Sequence, residues 1–163
     1  GEQVAQYNKV HLFDADVGGT QGRYQELKHF APGSEAVVVE TPVGRLGLSI
    51  CFDVRFPQLF QRLRSLGAEI ISVPAAFTYL TGKAHWQVLL QARAIETQCY
   101  ILAANQCGWH DQKRQTWGHS HIINPWGEVQ ATLKEEPGVI TGEIDLTLVK
   151  DIRRRMPLTA VEV

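Results

Sequence analysis

Gly44-Arg45-Leu46-Gly47-Leu48-Ser49-Ile50-Cys51-Phe52-Asp53-Val54-Arg55-Phe56-Pro57 is the stretch on which the reading of this chain turns. Its first seven residues read as an apolar strand, residues 52–55 as a turn, and Phe56-Pro57 as the entry to a helix. Cys51 stands at the break. A strand-to-helix turn projects a side chain into open space and aims backbone N–H groups, with the positive helix end, at the same point. Such a field favours a thiolate. The same N–H groups suit the oxyanion that forms when sulfur attacks a carbonyl or nitrile carbon. The alternative on this feature alone is a buried, inert cysteine at a strand end.

Upstream, Ala36-Val37-Val38-Val39-Glu40-Thr41 and residues 45–50, joined by Pro42-Val43-Gly44, read as a β-hairpin leading into Cys51. Residues 13–34 are rich in Gly, Asp, Gln and Pro and read as a long loop, with Pro32-Gly33 as turn punctuation. Residues 3–12 read as a strand already in progress.

Downstream, residues 56–67 have helical apolar spacing, with Pro57 in the first turn and Gly67 as the stop. Residues 68–74 read as a short buried strand, about 84–98 as an amphipathic helix, and 98–106 as a strand apolar on both faces. This alternation predicts an α/β architecture. The last third changes character: residues 116–123, 128–133 and 138–145 read as strands, with Asn124-Pro125-Trp126-Gly127 as a turn. A basic helix is expected from about Leu146.

A chain of 163 residues can bury one good core and is expected to make one domain. With 16 basic and 17 acidic residues, a net charge of −1 and no long charge run, it offers neither a nucleic-acid groove nor a polybasic membrane anchor. A small-molecule partner fits better. Three cysteines, an odd number with spacings unlike a zinc ribbon, argue against a disulfide framework and for a reducing, cytoplasmic setting. No apolar run approaches the roughly 20 residues that span a bilayer, and residues 1–30 lack signal-peptide organisation.

The chain resembles the nitrilase, or carbon–nitrogen hydrolase, superfamily, and within it the Nit-type amidase branch. The likeness is carried by Tyr7-Asn8-Lys9-Val10-His11-Leu12-Phe13-Asp14, by residues 44–57 and by Ala84-His85-Trp86. Residues 92–100 and Gly118-His119-Ser120 support it. The resemblance implies a four-layer αββα sandwich and a Cys-Glu-Lys triad that cleaves nonpeptide C–N bonds without metal or organic cofactor. On it, Cys51 matches the nucleophile and Lys9 the catalytic lysine; Phe52 would lend its N–H to the oxyanion. Glu26 matches a second glutamate, lying between lysine and cysteine, that contacts the lysine. Without the resemblance, Lys9 and Glu26 read equally as solvated side chains.

The same resemblance places a general-base glutamate far upstream of the lysine. Only Glu2 precedes Lys9 here, too near to match, so residues 1–163 are expected to be the C-terminal part of a single domain. It also implies that His85 and Trp86 lie near the pocket, that helices after the nucleophile form a homodimer, and that Arg93 and Glu96 shape the core. Asp53 and Arg55, following the nucleophile closely, are expected to orient the turn.

Tyr7-Asn8-Lys9, residues 92–100, Gln106-Cys107-Gly108 and Lys113-Arg114 are most similar to the deaminated-glutathione amidases, with the ω-amidases second. Substrates of either kind carry carboxylates, so a basic rim is expected from Lys83, Arg55 and Arg114. Three other readings stay open. A Cys–His thiol hydrolase would pair Cys51 with His11, His85 or His119. A non-catalytic fragment would bind a carboxylated ligand without turnover. A metal site on His119 and His121, two apart on one strand face, has no obvious third ligand, even with Cys107 and His110 nearby. Residues 153–158 fit the family, whereas residues 159–163 do not resemble its usual continuation.

Overall fold

The computed structural model describes residues 1–19 and 22–158, so the expectation for residues 159–163 lies outside the described residues. Its centre is a six-stranded mixed sheet in the order β10-β9-β6-β5-β4-β3. β3 (Val37–Thr41) and β4 (Gly44–Leu48) form the expected hairpin, in register from Val37 opposite Leu48 to Thr41 opposite Gly44. Thr41 Oγ1 donates to Gly44 O at 2.6 Å and closes the turn. β5 (Ile70–Ser72) and β6 (Tyr100–Ala103) continue the sheet in parallel, while β9 (Ser120–Ile123) and β10 (Val129–Leu133) finish it antiparallel.

The parallel strands require crossovers, and two amphipathic helices provide them. α1 (Pro57–Ser65) begins on Pro57 and buries Leu59, Phe60 and Leu63. α2 (Tyr79–Thr97) buries Trp86, Leu90 and Ala94. Both cover the sheet face that presents Ile71, Val73, Ile101 and Ile123, making the main core. Each large apolar side chain removed from water there contributes roughly 1.5–3 kcal/mol. α3 (Leu146–Arg155) lies on the opposite face, where Val149 packs with Ile70 and Tyr100. Asp145 caps α3 by accepting from Thr147 N at 2.8 Å.

Several expectations need correction. Residues 3–12 form no strand, because their partners are side chains and a loop rather than a neighbouring ladder. The expected loop at 13–34 contains a hairpin of β1 (Asp14–Asp16) and β2 (Arg23–Gln25). α2 starts five residues before the expected Ala84. Gly82 read as loop; it is instead a contact glycine, since a Cβ there would lie 2.3 Å from Trp117 Cβ.

Residues 116–123 are two strands, not one. β8 (Gln115–Trp117) pairs with β7 (Cys107–Trp109), then Gly118 and His119 adopt positive φ and the chain turns into β9. Residues 138–145 have no ladder partner among the described residues and so form no strand. They run over the sheet, with Gly142 against Ile122 and Ile144 against the Ile70–Tyr100 cluster.

Candidate active site

Cys51 follows β4 closely, and its backbone is unusual: φ is 49°, in the left-handed region that few non-glycine residues occupy. Such a conformation costs about 1–2 kcal/mol and persists where surrounding bonds over-determine it. Those bonds are present. Cys51 N donates to Pro74 O at 2.9 Å, and residues Cys51–Arg55 make a 3₁₀ turn in which Asp53 Oδ2 accepts from Ile50 N at 2.8 Å. From α2, buried Arg93 donates its Nε to Val54 O at 2.8 Å and ion-pairs with Glu96 at 2.6 Å, the i,i+3 pair the sequence suggests.

The N–H groups of Phe52 and Ala76 are directed at Cys51 Sγ. The motif reading does not mark Ala76. Its only local sign is Pro74, which ends the β5 ladder and frees the following backbone. Ala75 remains tied to the next strand, with Ala75 N donating to Ala104 O at 2.8 Å. Asn105, a polar residue after an apolar strand, anchors this region: its Oδ1 accepts from Phe77 N at 2.9 Å and its Nδ2 donates to Gly118 O at 2.6 Å.

Lys9 Nζ donates to Glu26 Oε2 at 2.6 Å, and Phe13 N donates to the same oxygen at 2.8 Å. Both side chains line the cleft that Cys51 lines. The expected trio is thus brought together. The cleft measures about 1160 Å³, above the roughly 300–1,000 Å³ common for small-molecule sites, and Tyr24, Asn105 and His110 also border it.

The field expected at Cys51 competes with its burial. Burial pushes the Cys51 thiol above its ordinary value. The Lys9 ammonium and the Ala76 and Phe52 N–H groups oppose that rise, and the Glu26 charge adds to it. A positive field is present at the sulfur, but desolvation outweighs it and disfavours the thiolate.

The remaining candidates lie elsewhere. Trp86 is fully buried, donating Nε1 to His119 O at 2.8 Å against the Phe77 ring, and His85 is exposed on α2. Neither lines the cleft. The expectation placed them near the pocket, and they reach it through neighbours that border the space beside Cys51: Trp86 packs on Phe77 and His85 lies 3.4 Å from Arg55. Arg55 borders a small space behind Cys51, with its guanidinium 5.1 Å from the Phe77 ring centroid and 3.4 Å from His85 Nδ1. Lys83 is exposed and away from the cleft, whereas Arg114 lies over the cleft residue Tyr24 at 5.2 Å.

His11, His85 and His119 do not line the cleft either, which removes the geometry a Cys–His pair needs. His11 Nδ1 is 2.8 Å from Asp53 Oδ1, and His119 stacks on Trp117. His119 precedes β9 in a left-handed turn, with its ring centroid 6.5 Å from that of His121 in β9. Among the described residues, no group of three or more His, Cys, Asp or Glu side chains is placed to hold a metal ion. No helix there is long and apolar enough to cross a membrane.

Comparison with known proteins agrees with this geometry. The carbon–nitrogen hydrolase family model matches residues 1–154. A deaminated glutathione amidase of Yersinia enterocolitica is 51% identical over 158 residues, which is 97% of this chain and 55% of that protein. The crystal structure of the C. elegans NitFhit protein superimposes with a TM-score of 0.88 at 50% identity, covering 94% of this chain and 37% of that one. A mutant of the amidase from Nesterenkonia sp. AN1, with acrylamide added at its active-site cysteine, is 28% identical with a TM-score of 0.73, over 94% of this chain and 56% of that one. The chain spans about half the length of the curated relatives it matches.

Proposed function

We propose that this chain, which belongs to the carbon–nitrogen hydrolase family, supplies the nucleophile and the oxyanion-stabilising groups of an amidase acting on a small carboxylated amide. The observation that carries the reading is the convergence on one cleft of Cys51 Sγ, the two N–H groups aimed at it and the Lys9–Glu26 pair. Cys51 attacks the amide carbonyl carbon, and the electron pair of the C=O bond moves to oxygen. Lys9 and the two N–H groups stabilise that oxyanion, each such donor being worth about 3 kcal/mol of barrier. Collapse breaks the C–N bond, the amine leaves with a proton, and a thioester remains. Water then attacks the thioester, releases the carboxylic acid and returns the thiol.

The base that takes the thiol proton is assigned to a glutamate outside these 163 residues, which form the C-terminal part of one such domain. The length of the relatives supports this. Glu26, engaged with Lys9 Nζ and Phe13 N, orients the lysine. Deaminated glutathione is the preferred substrate, in keeping with the named activity of the Yersinia relative; an ω-amide of an α-keto acid is the alternative. Arg114, beside Tyr24 at the cleft, is the side chain best placed for the substrate carboxylate.

A homodimer through α2 is supported by Val88 and Ile95, 68% and 47% exposed on that helix. The three free cysteines support a reducing, cytoplasmic setting.

The test is incubation of the longer protein that carries the upstream glutamate with deaminated glutathione and, separately, α-ketoglutaramate, following the acyl adduct at Cys51 by quenched intact mass and the released amine. An adduct that vanishes in Cys51→Ala supports the reading. Binding of either compound without adduct or amine release overturns it in favour of a non-catalytic binding fragment. Faster adduct formation from α-ketoglutaramate reverses the substrate order. Amine release by the 163-residue chain alone, abolished by Glu26→Gln, would move the base onto Glu26.

A further inference from the structure

Asp53 is 0% exposed, yet its carboxylate accepts hydrogen bonds from three residues on two separate segments. Oδ2 accepts from Tyr7 Oη at 2.8 Å and from Ile50 N at 2.8 Å. Oδ1 accepts from His11 N at 3.0 Å and from His11 Nδ1 at 2.8 Å. Tyr7 and His11 bracket Lys9, while Ile50 immediately precedes Cys51.

The segment holding Lys9 belongs to no strand or helix, so no ladder sets its position. Its other backbone tie is Lys9 O, which accepts from Gly33 N at 2.9 Å. Tyr7 Oη also accepts from Val10 N at 3.2 Å, which curls the segment around the carboxylate. The His11 ring stacks on Phe56 with centroids 3.7 Å apart, fixing the imidazole that donates to Oδ1. A buried carboxylate satisfied by several donors is rigid, because any displacement leaves buried donors unpaired.

We propose that Asp53 is a positioning residue that sets the placement of Lys9 relative to the Cys51 thiol. One carboxylate grips both the irregular segment that carries the ammonium and the backbone from which the nucleophile projects. Tyr7 and His11 are the arms through which it acts. The proposal rests on Cys51 and Lys9 working together, but its consequence is read at the thiol and needs no turnover. The groups facing Cys51 are the Lys9 and Glu26 side chains, the Phe52 and Ala76 N–H groups and, from behind, Arg55. Of these, Lys9 is the one whose placement depends on Asp53 through residues 7–11.

The experiment is the pH profile of iodoacetamide alkylation at Cys51 in the 163-residue chain, resolved from Cys99 and Cys107 by peptide mass. Lys9→Met is expected to raise the midpoint by about one pH unit, the usual effect of losing a close opposite charge. Asp53→Asn is expected to raise it by about half of that or more, and Tyr7→Phe by less. In the Lys9→Met background, Asp53→Asn should add nothing, which a merely structural role would not produce. Unchanged midpoints in both Asp53→Asn and Tyr7→Phe overturn the proposal, as does an Asp53→Asn shift that persists in full without Lys9, or no shift in Lys9→Met itself. Should Asp53→Asn fail to fold by circular dichroism, Tyr7→Phe, which deletes one hydroxyl, decides by the same criteria. Failure of the amidase reading shows separately, as an absent acyl adduct in the longer protein that carries the upstream glutamate while the alkylation profiles of the 163-residue chain are as expected.

Discussion

Lys9 Nζ and Glu26 Oε2 meet at 2.6 Å across 17 residues of sequence, at the edge of the cleft that holds Cys51. The pair acts on the sulfur with opposite signs: the ammonium draws the thiol pKa down and the carboxylate pushes it up. Glu26 therefore fixes the lysine at some cost in thiolate population. On the proposed amidase reading, oxyanion stabilisation gains from a fixed cation, and the arrangement favours the transition state over a reactive resting thiol.

Lys9→Met removes the cation and leaves Glu26 and burial to act on Cys51. The thiol pKa then rises further, and below that pKa each unit lost is tenfold in thiolate. Acylation of Cys51 by an activated amide or ester substrate should slow about 10²- to 10³-fold. Burst kinetics on the intact enzyme would measure it, and a loss below about fivefold would remove Lys9 from the oxyanion site.

Trp86→Phe tests whether this ring serves the pocket or the core. It deletes the 2.8 Å bond to His119 O and part of a buried ring, so the urea midpoint should fall by an amount equivalent to about 1–3 kcal/mol. The Cys51 alkylation profile should stay where it is. A stable variant with altered substrate affinity would return Trp86 to the binding surface.

Gly82→Ala forces a Cβ to within 2.3 Å of Trp117 Cβ, and neither backbone can yield without separating α2 from β8. Ala is the better helix former by about 1 kcal/mol, yet the overlap should win and destabilise the chain by about 1–3 kcal/mol. Thermal or urea unfolding reads the sign directly; a stabilised variant would show that the helix start can shift.

His121 carries a pH dependence of its own. Burial, aided by nearby His119, pushes its pKa from 6.5 down to about 4. The folded state therefore keeps the imidazole neutral where the unfolded state protonates it. Stability is whole above about pH 6.5 and falls as pH drops towards 4, by up to about 3 kcal/mol in total. His121→Asn keeps a group able to pair with Thr132 Oγ1, 2.9 Å from Nδ1 in the parent, and removes the titration. Urea unfolding at several pH values should show a flatter slope in the variant, and equal slopes would place the acid sensitivity in other groups.

The elements legible beforehand were those encoded over short distances. Pro57 and Gly67 bound α1, the Val37–Thr41 and Gly44–Leu48 pair frames its own turn, and α3 begins where residues 145–146 suggest. Long-range terms decided the rest. Residues 138–145 alternate like a strand but lack a ladder partner among the described residues, and periodicity does not supply one. Gly82 falls ahead of the expected helix, and only Trp117 placed against it accounts for a glycine inside α2.

The sequence by itself determined the α/β class and the turn that presents Cys51, through local propensity, and the family, through its motifs; Lys9 and Glu26 stood out only by that resemblance. Only the tertiary structure decided that burial raises the Cys51 thiol, that the Ala76 N–H joins that of Phe52 at its sulfur, that Trp86 is core, and that Asp53 joins the lysine segment to the nucleophile turn. Desolvation depends on what surrounds a group in space, and the bonds from Asp53 to Tyr7 and His11 cross 46 and 42 residues. Neither quantity has a local signature for the chain to carry.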